Sequence, residues 1–395
     1  MNVKFSTKFV AASAAAVMAL SLAGCSGGSM DDSSSSSAKA SGDSITIGTV
    51  TTNSGTAAAY GEAEVAGFKL AVDEINAKGG INGKKVKLES MDDKGDATEA
   101  SNAYNKLAGD NNVLAVAGPT ISATTAAVAP LADQSKLVTI APAATSDSIE
   151  TGNYLFRTCF KDSYQGEVAA RFAAENLKVK KVAVLYGTGD PYSSGVGKAF
   201  AAAAKKAGLD VVAEENSSSA DDTEYSAQLQ KIQASGAELL YAPYYYSVAG
   251  PYIIPQARSV GFEGYVMGPD GYDGLKLTGD KSQYNKTYYT THYSADDNTN
   301  TKVQDFIKSY KSKNNAEPNT FAALGYDTIY MIKQAIEKAG ENATREDVRN
   351  AVAGMTFDGV TGKFTMDKSG SPTKSVTVLE MKDGKPVYNT TVQPK

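Results

Sequence analysis

The 395-residue sequence is poor in the residues from which many enzyme sites are built. It contains one histidine (His292), two cysteines (Cys25 and Cys159) and no tryptophan. A zinc site that needs two histidines is therefore excluded, and so is an H-E-x-x-H helix. The sequence has neither a G-x-S-x-G elbow nor a G-x-x-x-x-G-K-[ST] phosphate loop. We predict no catalytic residues, no metal, no cofactor and no enzymatic activity.

The charge of the chain limits the class of partner. The sequence contains 39 Lys and Arg against 44 Asp and Glu, a formal net charge of −5 at pH 7. A nucleic-acid-binding protein needs a concentrated positive surface, and no basic patch is visible in the sequence. We therefore predict no nucleic-acid partner, and the composition is typical of a soluble exported protein.

Residues 1–24 have the pattern of an export signal. Lys4 and Lys8 form a basic region, and residues 9–22 form a short apolar run rich in alanine. This run is too short for a typical membrane span. The sequence Leu-Ala-Gly-Cys that ends at Cys25 resembles a lipobox, which implies cleavage before Cys25 and a diacylglyceryl group on its sulfur. An ordinary secretory signal with an incidental cysteine is the alternative.

Residues 25–43 contain the run Ser33–Ser37 and almost no apolar side chains. A segment of this composition cannot bury enough surface to order itself, so we predict a flexible linker. The first strand-like residues are Ile45 and Ile47, which places the start of the fold near Ser44. We expect an extracytoplasmic domain that is tethered to the cell membrane through a lipid anchor.

Cys159 has no partner in the chain if Cys25 is lipidated, so no intrachain disulfide is expected. It lies in the segment Tyr154–Phe160, which is typical of a buried strand. We predict that Cys159 is a buried, inert thiol.

Short β-rich segments alternate with helical segments in two blocks, at about 45–142 and 180–290. A helical region over 302–353 and a β-rich tail over 362–392 follow. Alternating strands and helices predict parallel sheets that are covered on both faces. The fold class is α/β, with two doubly wound parallel-sheet lobes joined by a multi-strand hinge. The expected lobe 1 comprises 44–161 and 293–372, and the expected lobe 2 comprises 162–292 and 373–395.

Seven short motifs lie at strand or helix ends in a fixed order. They are Ala59-Tyr60-Gly61, Asp73–Gly83, Asp92-Asp93, Gly118-Pro119-Thr120, Ala141–Thr145, Asp190–Gly195 and Met267–Gly271. This series resembles the type I periplasmic binding proteins, and within them the leucine/isoleucine/valine-binding proteins of ABC importers. The resemblance covers nearly all of residues 44–395 and implies a ligand cleft between the two lobes.

Ser122 and the Ala143–Thr145 loop are the candidate carboxylate site. Pro142 ends a strand, after which the N–H groups of Ala143 and Ala144 and the hydroxyl of Thr145 are free to meet an anion. Ser122 begins a helix, where an N-cap is the structural alternative. The resemblance implies that its hydroxyl binds the ligand carboxylate.

Asp270 is the candidate partner of the ligand ammonium. A turn aspartate is the alternative, because Pro-Asp-Gly is a common turn sequence. The resemblance assigns the ammonium-binding carboxylate to this position, where the family carries glutamate. Since aspartate is one methylene shorter, either the ligand sits deeper or a water intervenes.

Three tyrosines are candidate walls of the cleft. Tyr192 can offer a ring face and a hydroxyl to an ammonium, and Tyr60 matches a wall position of the family. Tyr244 is the third candidate, because it matches the family position best among the four tyrosines that cluster at 241 and 244–246.

The sequence departs from the enterobacterial pattern at one pair of positions. Gly95 and Ile121 stand where the resemblance implies a disulfide, a difference that affects the pocket for the ligand side chain more than the recognition of an amino acid.

We therefore predict an extracytoplasmic, monomeric solute-binding lipoprotein. It would capture an amino acid, with the branched-chain class favoured, and deliver it to the transmembrane subunits of an ABC permease. The alternatives are a ligand sensor of the same fold, or a receptor for amides, urea or aromatic acids.

Overall fold

The computed structural model describes residues 44–149, 153–296 and 300–394. The predicted signal segment, Cys25 and the predicted linker lie outside the described residues. Within the described residues the chain forms fourteen strands and eleven α-helices, together with three 3₁₀ turns and one π-helical turn.

The strands are β1 Ser44–Thr51, β2 Lys85–Asp92, β3 Val113–Ala117, β4 Val138–Ala141, β5 Leu155–Arg157, β6 Lys181–Gly187, β7 Asp210–Ser217, β8 Leu239–Tyr241, β9 Tyr265–Gly268, β10 Thr287–Thr291, β11 Thr356–Gly359, β12 Gly362–Thr365, β13 Val376–Lys382 and β14 Lys385–Val392. The helices are α1 Ala58–Ala77, α2 Ala97–Gly109, α3 Ser122–Ser135, α4 Asp162–Glu175, α5 Pro191–Lys206, α6 Ser226–Ala234, α7 Tyr246–Val248, α8 Ile254–Ser259, α9 Thr301–Asn314, α10 Thr320–Ala339 and α11 Arg345–Val352.

The first sheet has the strand order β2-β1-β3-β4-β5, and all of its pairings are parallel. Every residue of β3 and β4 is buried. Strands that are covered on both faces need continuous apolar sequences, which explains why Val-Leu-Ala-Val-Ala forms the centre of this sheet.

The second sheet has the order β14-β13-β10-β9-β8-β6-β7. Its pairings from β10 to β7 are parallel, whereas β13 and β14 pair antiparallel at one edge. The predicted parallel blocks and the predicted β-rich tail are therefore confirmed.

Three connections join the sheets in the part of the chain that the structure describes. The chain leaves the first sheet after β5, leaves the second sheet after β10, and returns to the second sheet before β13. Because α10, α11 and the β11–β12 hairpin pack on β1, β3 and β4, the 301–365 segment completes the core of the first sheet.

Helices α1 and α10 pack unusually close to each other. A Cβ atom on Gly67 of α1 would lie 2.2 Å from the backbone oxygen of Ala322 in α10. Glycine is therefore required at this contact, which fixes the position of two helices that both contribute side chains to the cleft described below.

Simple periodicity does not predict two local features. A π-helical turn, Ala249–Ile253, lies between α7 and α8 in the continuous helical stretch 246–259. Pro255 lacks the N–H that a continuous α-helix would direct at the oxygen of Pro251. Strand β11 was not expected, and it pairs with β12 as a hairpin.

Candidate functional site

A small cavity lies between the two sheets. From the side of the first sheet it is lined by Tyr60, Thr120, Ile121, Ser122, Ala143 and Phe321. From the side of the second sheet it is lined by Tyr192, Tyr245, Asp270 and Gly271. The volume left between these side chains is about 20 Å³, which is enough for one water molecule. The walls must therefore move apart before an amino acid can enter.

Ser122 and Ala143 form the polar wall on the first sheet. Ser122 is the first residue of α3, and its Oγ accepts a hydrogen bond from the backbone N–H of Ser146 at 3.1 Å. The serine therefore does not act as the N-cap, because that position belongs to Ile121. It ties the start of α3 to the loop that begins with Ala143, and its hydroxyl proton stays available to a ligand.

Ala144 and Thr145 belong to the same loop but do not line the cavity. Ala144 is buried in a small apolar cluster, and its backbone oxygen accepts a hydrogen bond from the thiol of Cys159 at 3.3 Å. The hydroxyl of Thr145 faces the carboxyl group of Asp162. In this arrangement neither residue presents its side chain to the cavity.

Tyr60 reaches from α1 to the opposite wall. Its hydroxyl donates to the backbone oxygen of Gly271 at 2.5 Å and accepts from the N–H of Tyr246 at 3.0 Å. Its ring is stacked on Phe321 of α10, with the ring centroids 3.9 Å apart. Burial raises the pKa of Tyr60 well above its usual value, so the hydroxyl stays protonated and both hydrogen bonds persist at neutral pH.

Asp270 is the buried carboxylate of the second wall. It begins a 3₁₀ turn immediately after β9 and Pro269, and it is 2% exposed. Its Oδ1 accepts from the hydroxyl of Tyr192 at 2.9 Å and from Nε2 of Gln165 at 3.3 Å. Its Oδ2 lies 3.3 Å from Nε2 of His292. The side chain points into the cleft rather than capping its own turn.

Tyr192 and Tyr245 form an aromatic wall beside Asp270. Their rings are parallel, with centroids 5.2 Å apart. The hydroxyl of Tyr192 accepts from the N–H of Gly271 at 2.8 Å while it donates to Asp270. A Cβ atom on Gly271 would lie 2.6 Å from this hydroxyl, so glycine is required where the tyrosine crosses the turn.

The structure places Tyr244 outside the cavity, contrary to the expectation. Its hydroxyl lies 2.8 Å from Oγ of Ser217, and its ring packs edge-on against Tyr225. Tyr245 takes the wall position instead. Strand β8 ends at Tyr241, and side chains beyond it do not alternate between two faces as they do in a strand. Strand periodicity therefore could not determine which tyrosine faces the cavity.

A polar network behind Asp270 was not predicted from the sequence. Gln165 bridges two carboxyl groups, since its Nε2 donates to Asp162 at 2.9 Å and to Asp270 at 3.3 Å. Its Oε1 accepts from the N–H of Asp270 at 3.3 Å and from the hydroxyl of Thr290 at 3.1 Å. Burial raises the pKa of Asp162 well above its usual range. The sequence carried no local signal for this network, because its members come from α4, β10 and the turn after β9.

Gly95 and Ile121, the positions of the missing disulfide, lie next to each other. A Cβ atom on Gly95 would lie 3.8 Å from Cδ1 of Ile121. Ile121 lines the cavity and Gly95 does not. The two loops therefore come close to each other at this place.

The cavity combines a carboxylate on one wall with a serine hydroxyl and a loop of backbone groups on the other. Such a pair of walls can hold a cation and an anion at opposite ends of one small molecule. Among the described residues, no three His, Cys, Asp or Glu side chains are grouped so that they could hold a metal ion. No helix among these residues has the length and apolar character needed to cross a membrane.

Comparison with known protein families agrees with this architecture. The family model described as periplasmic binding protein matches residues 44–386. The chain belongs to the periplasmic binding protein family. Its members are periplasmic or otherwise extracytoplasmic, and the predicted family resemblance is confirmed.

Two curated relatives share 30% of their residues with this chain. One is the Leu/Ile/Val-binding protein homolog 3 of Brucella melitensis, aligned over 348 residues that cover 86% of this chain and 92% of the relative. The other is the leucine-, isoleucine-, valine-, threonine- and alanine-binding protein of Pseudomonas aeruginosa, with 83% and 87% coverage. Both relatives are amino-acid-binding proteins by name.

Two solved structures show the same fold. The branched-chain amino acid transporter substrate-binding protein LivJ of Streptococcus pneumoniae, in complex with isoleucine, superposes with a TM-score of 0.82 at 33% identity. The superposition covers 89% of this chain and 100% of LivJ. The leucine-binding protein LivK of Thermotoga maritima gives 0.82 at 30% identity, with 89% and 99% coverage. The predicted fold class, two α/β lobes of the type I architecture, is therefore confirmed.

Proposed function

We propose that this protein is the solute-binding subunit of an ABC importer and that it binds a branched-chain α-amino acid between its two sheets. The observation that supports this most strongly is the placement of Asp270 opposite Ser122 across one cavity. The relatives and structural neighbours that bind leucine, isoleucine or valine support the same ligand class.

The zwitterion of an amino acid requires both walls. A buried charge is costly unless it is paired, so each end of the ligand needs its own partner. Asp270 takes the ammonium, while Ser122 and the backbone of the Ala143–Thr145 loop take the carboxylate. The ring of Tyr192 covers the ammonium, and Ile121 with Phe321 contacts the apolar side chain. An aromatic acid lacks a cation for Asp270, and this favours amino acids over benzoate-like ligands.

Two lobes move relative to each other during binding in this proposal. Lobe 1 comprises 44–161 and 293–372, and lobe 2 comprises 162–292 and 373–395. The three connections between the sheets form the hinge, and opening at the hinge enlarges the 20 Å³ cavity to the volume that an amino acid needs.

A lipid on Cys25 would hold the protein at the extracytoplasmic face of the cell membrane. The closed, liganded monomer would then dock on the transmembrane subunits of the permease. The lipobox-like sequence that ends at Cys25 supports the anchor.

A thermal-shift screen tests the proposed ligand class. The full-length protein is heated with each of the twenty amino acids, and with urea, acetamide and benzoate. We expect the largest rise in Tm with leucine, isoleucine or valine, because binding to the native state alone raises stability. A rise with benzoate or urea and none with any amino acid would contradict the proposal.

A further inference from the structure

His292 contacts the proposed ammonium-binding carboxylate from behind the cavity. Its Nε2 lies 3.3 Å from Oδ2 of Asp270, and its side chain is fully buried. Phe160 is stacked on the imidazole with the ring centroids 3.6 Å apart. The Nδ1 atom has no hydrogen-bond partner among the described residues. His292 does not line the cavity, so it acts on a ligand only through Asp270.

The imidazole lies where the connections between the sheets meet. His292 directly follows β10, Phe160 follows β5, and Lys374 precedes β13. Lys374 is 1% exposed, and its charge acts on the imidazole of His292. Hinge motion concentrates its conformational changes in such connections. Opening of the cleft therefore changes the surroundings of His292 more than those of a residue inside either sheet.

We propose that His292 is a positioning residue that couples ligand binding to a proton. In the closed form the neutral ring donates Nε2–H to Oδ2 of Asp270 and orients the carboxylate towards the ligand ammonium. In the open form the ring is hydrated and takes up a proton, and the resulting imidazolium competes with the ammonium for Asp270. This inference rests on the proposed function and assigns a regulation to the same site.

The direction of the pH effect follows from the environment of the ring. Burial lowers the pKa of His292 from 6.5 to about 4; Lys374 acts in the same direction, and the contact with Asp270 opposes it. Well above pH 6.5 the ring is neutral in both forms, so the proton has no influence on binding. As the pH falls through 6.5 towards 4, the open form binds a proton that the closed form excludes. Through His292 alone, binding at pH 5 is then about 10- to 30-fold weaker than at pH 7.5.

The other titratable groups around the ring give a different signature. Burial raises the pKa of Asp162, and it raises the pKa of Asp273 to about 6. A carboxyl group of this kind takes up a proton on closure, so binding would become tighter as the pH falls. Burial lowers the pKa of Lys374 to about 8 and raises that of Cys159 to about 12. Cys159 therefore stays protonated between pH 5 and 7.5, and Lys374 stays mostly charged, with a neutral fraction that appears only near the upper end of this range. A loss of affinity in acid that the wild type shows and the non-titrating His292 variants lack therefore identifies the histidine.

Calorimetric titration with leucine, isoleucine and valine at pH 5.0, 6.0 and 7.5 tests the inference. The proteins are full-length wild type, His292→Gln and His292→Phe. The glutamine can still donate to Asp270, and the phenylalanine keeps the stacking on Phe160, but neither titrates. We expect the ratio of the dissociation constant at pH 5 to that at pH 7.5 to be about 10- to 30-fold larger in the wild type than in either variant. The Asp273→Asn variant serves as the control: it removes a carboxyl group whose proton uptake opposes the histidine, so its affinity should decline at pH 5 at least as steeply as that of the wild type.

The outcomes separate the two claims. If the wild type binds none of the three amino acids at pH 7.5, the proposed function fails and this inference fails with it. If the ratio of the dissociation constants at pH 5 and 7.5 is the same in the wild type and in both His292 variants, the inference alone is overturned. The comparison with the wild type needs only one His292 variant that retains the wild-type Tm, so misfolding of the other variant does not prevent the test.

Discussion

Asp270 receives contacts from three side chains that come from three different parts of the chain. Tyr192, Gln165 and His292 hold its two oxygens in place. This arrangement places a charge in the interior, which costs free energy, and a purely structural turn would not require it. These contacts support the proposal that Asp270 is a preorganised partner for a cation.

Replacing Asp270 by asparagine should greatly weaken the binding of an amino acid. The variant keeps the shape of the turn but leaves a desolvated ammonium without its counter-charge, which costs about 3–5 kcal/mol. The dissociation constant should rise by about two to three and a half orders of magnitude. Calorimetric titration with the tightest ligand of the screen measures this change.

Asp280→Asn is the matched control for this change. Asp280 is exposed, and its side chain accepts a hydrogen bond from the N–H of Ser282 in a short turn of the same half of the molecule. Its substitution should leave the affinity unchanged within about twofold, because it lies in no ligand contact. If Asp270→Asn also changed affinity by less than about threefold, Asp270 would be a turn residue and nothing more.

Cys159 should be unreactive in the folded protein. It is fully buried, and burial raises its pKa to about 12, so almost no thiolate forms at pH 8. In a Cys25→Ser variant, where Cys159 is the remaining thiol, we expect slow labelling under native conditions and rapid labelling in denaturant. Equally rapid labelling in both conditions would show that the segment around Phe160 is exposed.

The sequence predicted the residues of the site that lie in short motifs. Ser122 and Asp270 line the cavity as expected. The hydrophobic pattern placed each residue next to a strand end, but their proposed ligand roles came from the family resemblance, because an N-cap or a turn would explain the same residues. Tyr245 was missed in favour of its neighbour, because a loop has no periodicity that distinguishes two adjacent tyrosines. Gln165 and His292 were missed because their role depends on contacts more than a hundred residues apart, or across a hinge, that no local pattern records.

At the scale of elements, the contact between α1 and α10 determines where Tyr60 and Phe321 meet. Gly67 allows this contact, since a Cβ atom there would lie 2.2 Å from the backbone of Ala322. A backbone oxygen cannot move aside as a flexible side chain can. The stacking of Tyr60 on Phe321 therefore depends on a glycine that does not touch the cavity.

Gly67→Ala should destabilise the protein by about 1–3 kcal/mol, because the added methyl group forces the two helices apart. Gly109→Ala is the matched control. Gly109 ends α2, and a Cβ atom on it would meet no atom within 4 Å. This change should be neutral or stabilise by up to about 1 kcal/mol, since alanine is the better helix former. Urea unfolding of both variants measures the difference, and equal effects would contradict the close helix contact.

The order and type of most elements were predictable, but some boundaries and one strand were not. The apolar run of β3 and the glycine-terminated helices gave clear signals. The π-helical turn between α7 and α8 contains Pro251 and is followed by Pro255. The spacing of apolar residues does not show how two prolines four residues apart change the hydrogen bonding of a helix. Strand β11 is short, and only alternate residues are buried, so its pattern is too brief to separate from a loop.

For the molecule as a whole, entry of an amino acid requires that the two sheets move apart. The cavity of 20 Å³ in this arrangement is too small for an amino acid. We expect solution scattering to show a smaller radius of gyration when saturating ligand is added, because ligand holds the cleft closed. An unchanged profile, with binding confirmed by calorimetry, would contradict a two-lobed clamp.

The predicted lipid anchor on Cys25 determines where the whole molecule is located in the cell. A Cys25→Ala variant should be lost from the membrane fraction of expressing cells, because the lipid would be attached to the sulfur of Cys25. Fractionation followed by immunoblotting measures this, with the wild type as reference. Equal retention of the variant and the wild type would contradict a lipid anchor.

The central claim is that the cleft recognises both ends of a zwitterion. Titration of the wild type with L-leucine, with 3-methylbutylamine, which lacks the carboxylate, and with 4-methylpentanoate, which lacks the ammonium, tests it most directly. All three ligands carry the same branched side chain, so differences in affinity report the charged ends. We expect both analogues to bind at least about 100-fold more weakly than leucine, since each leaves one buried polar wall unpaired. If 4-methylpentanoate bound as tightly as leucine, Asp270 would not be the ammonium partner and the account would be wrong.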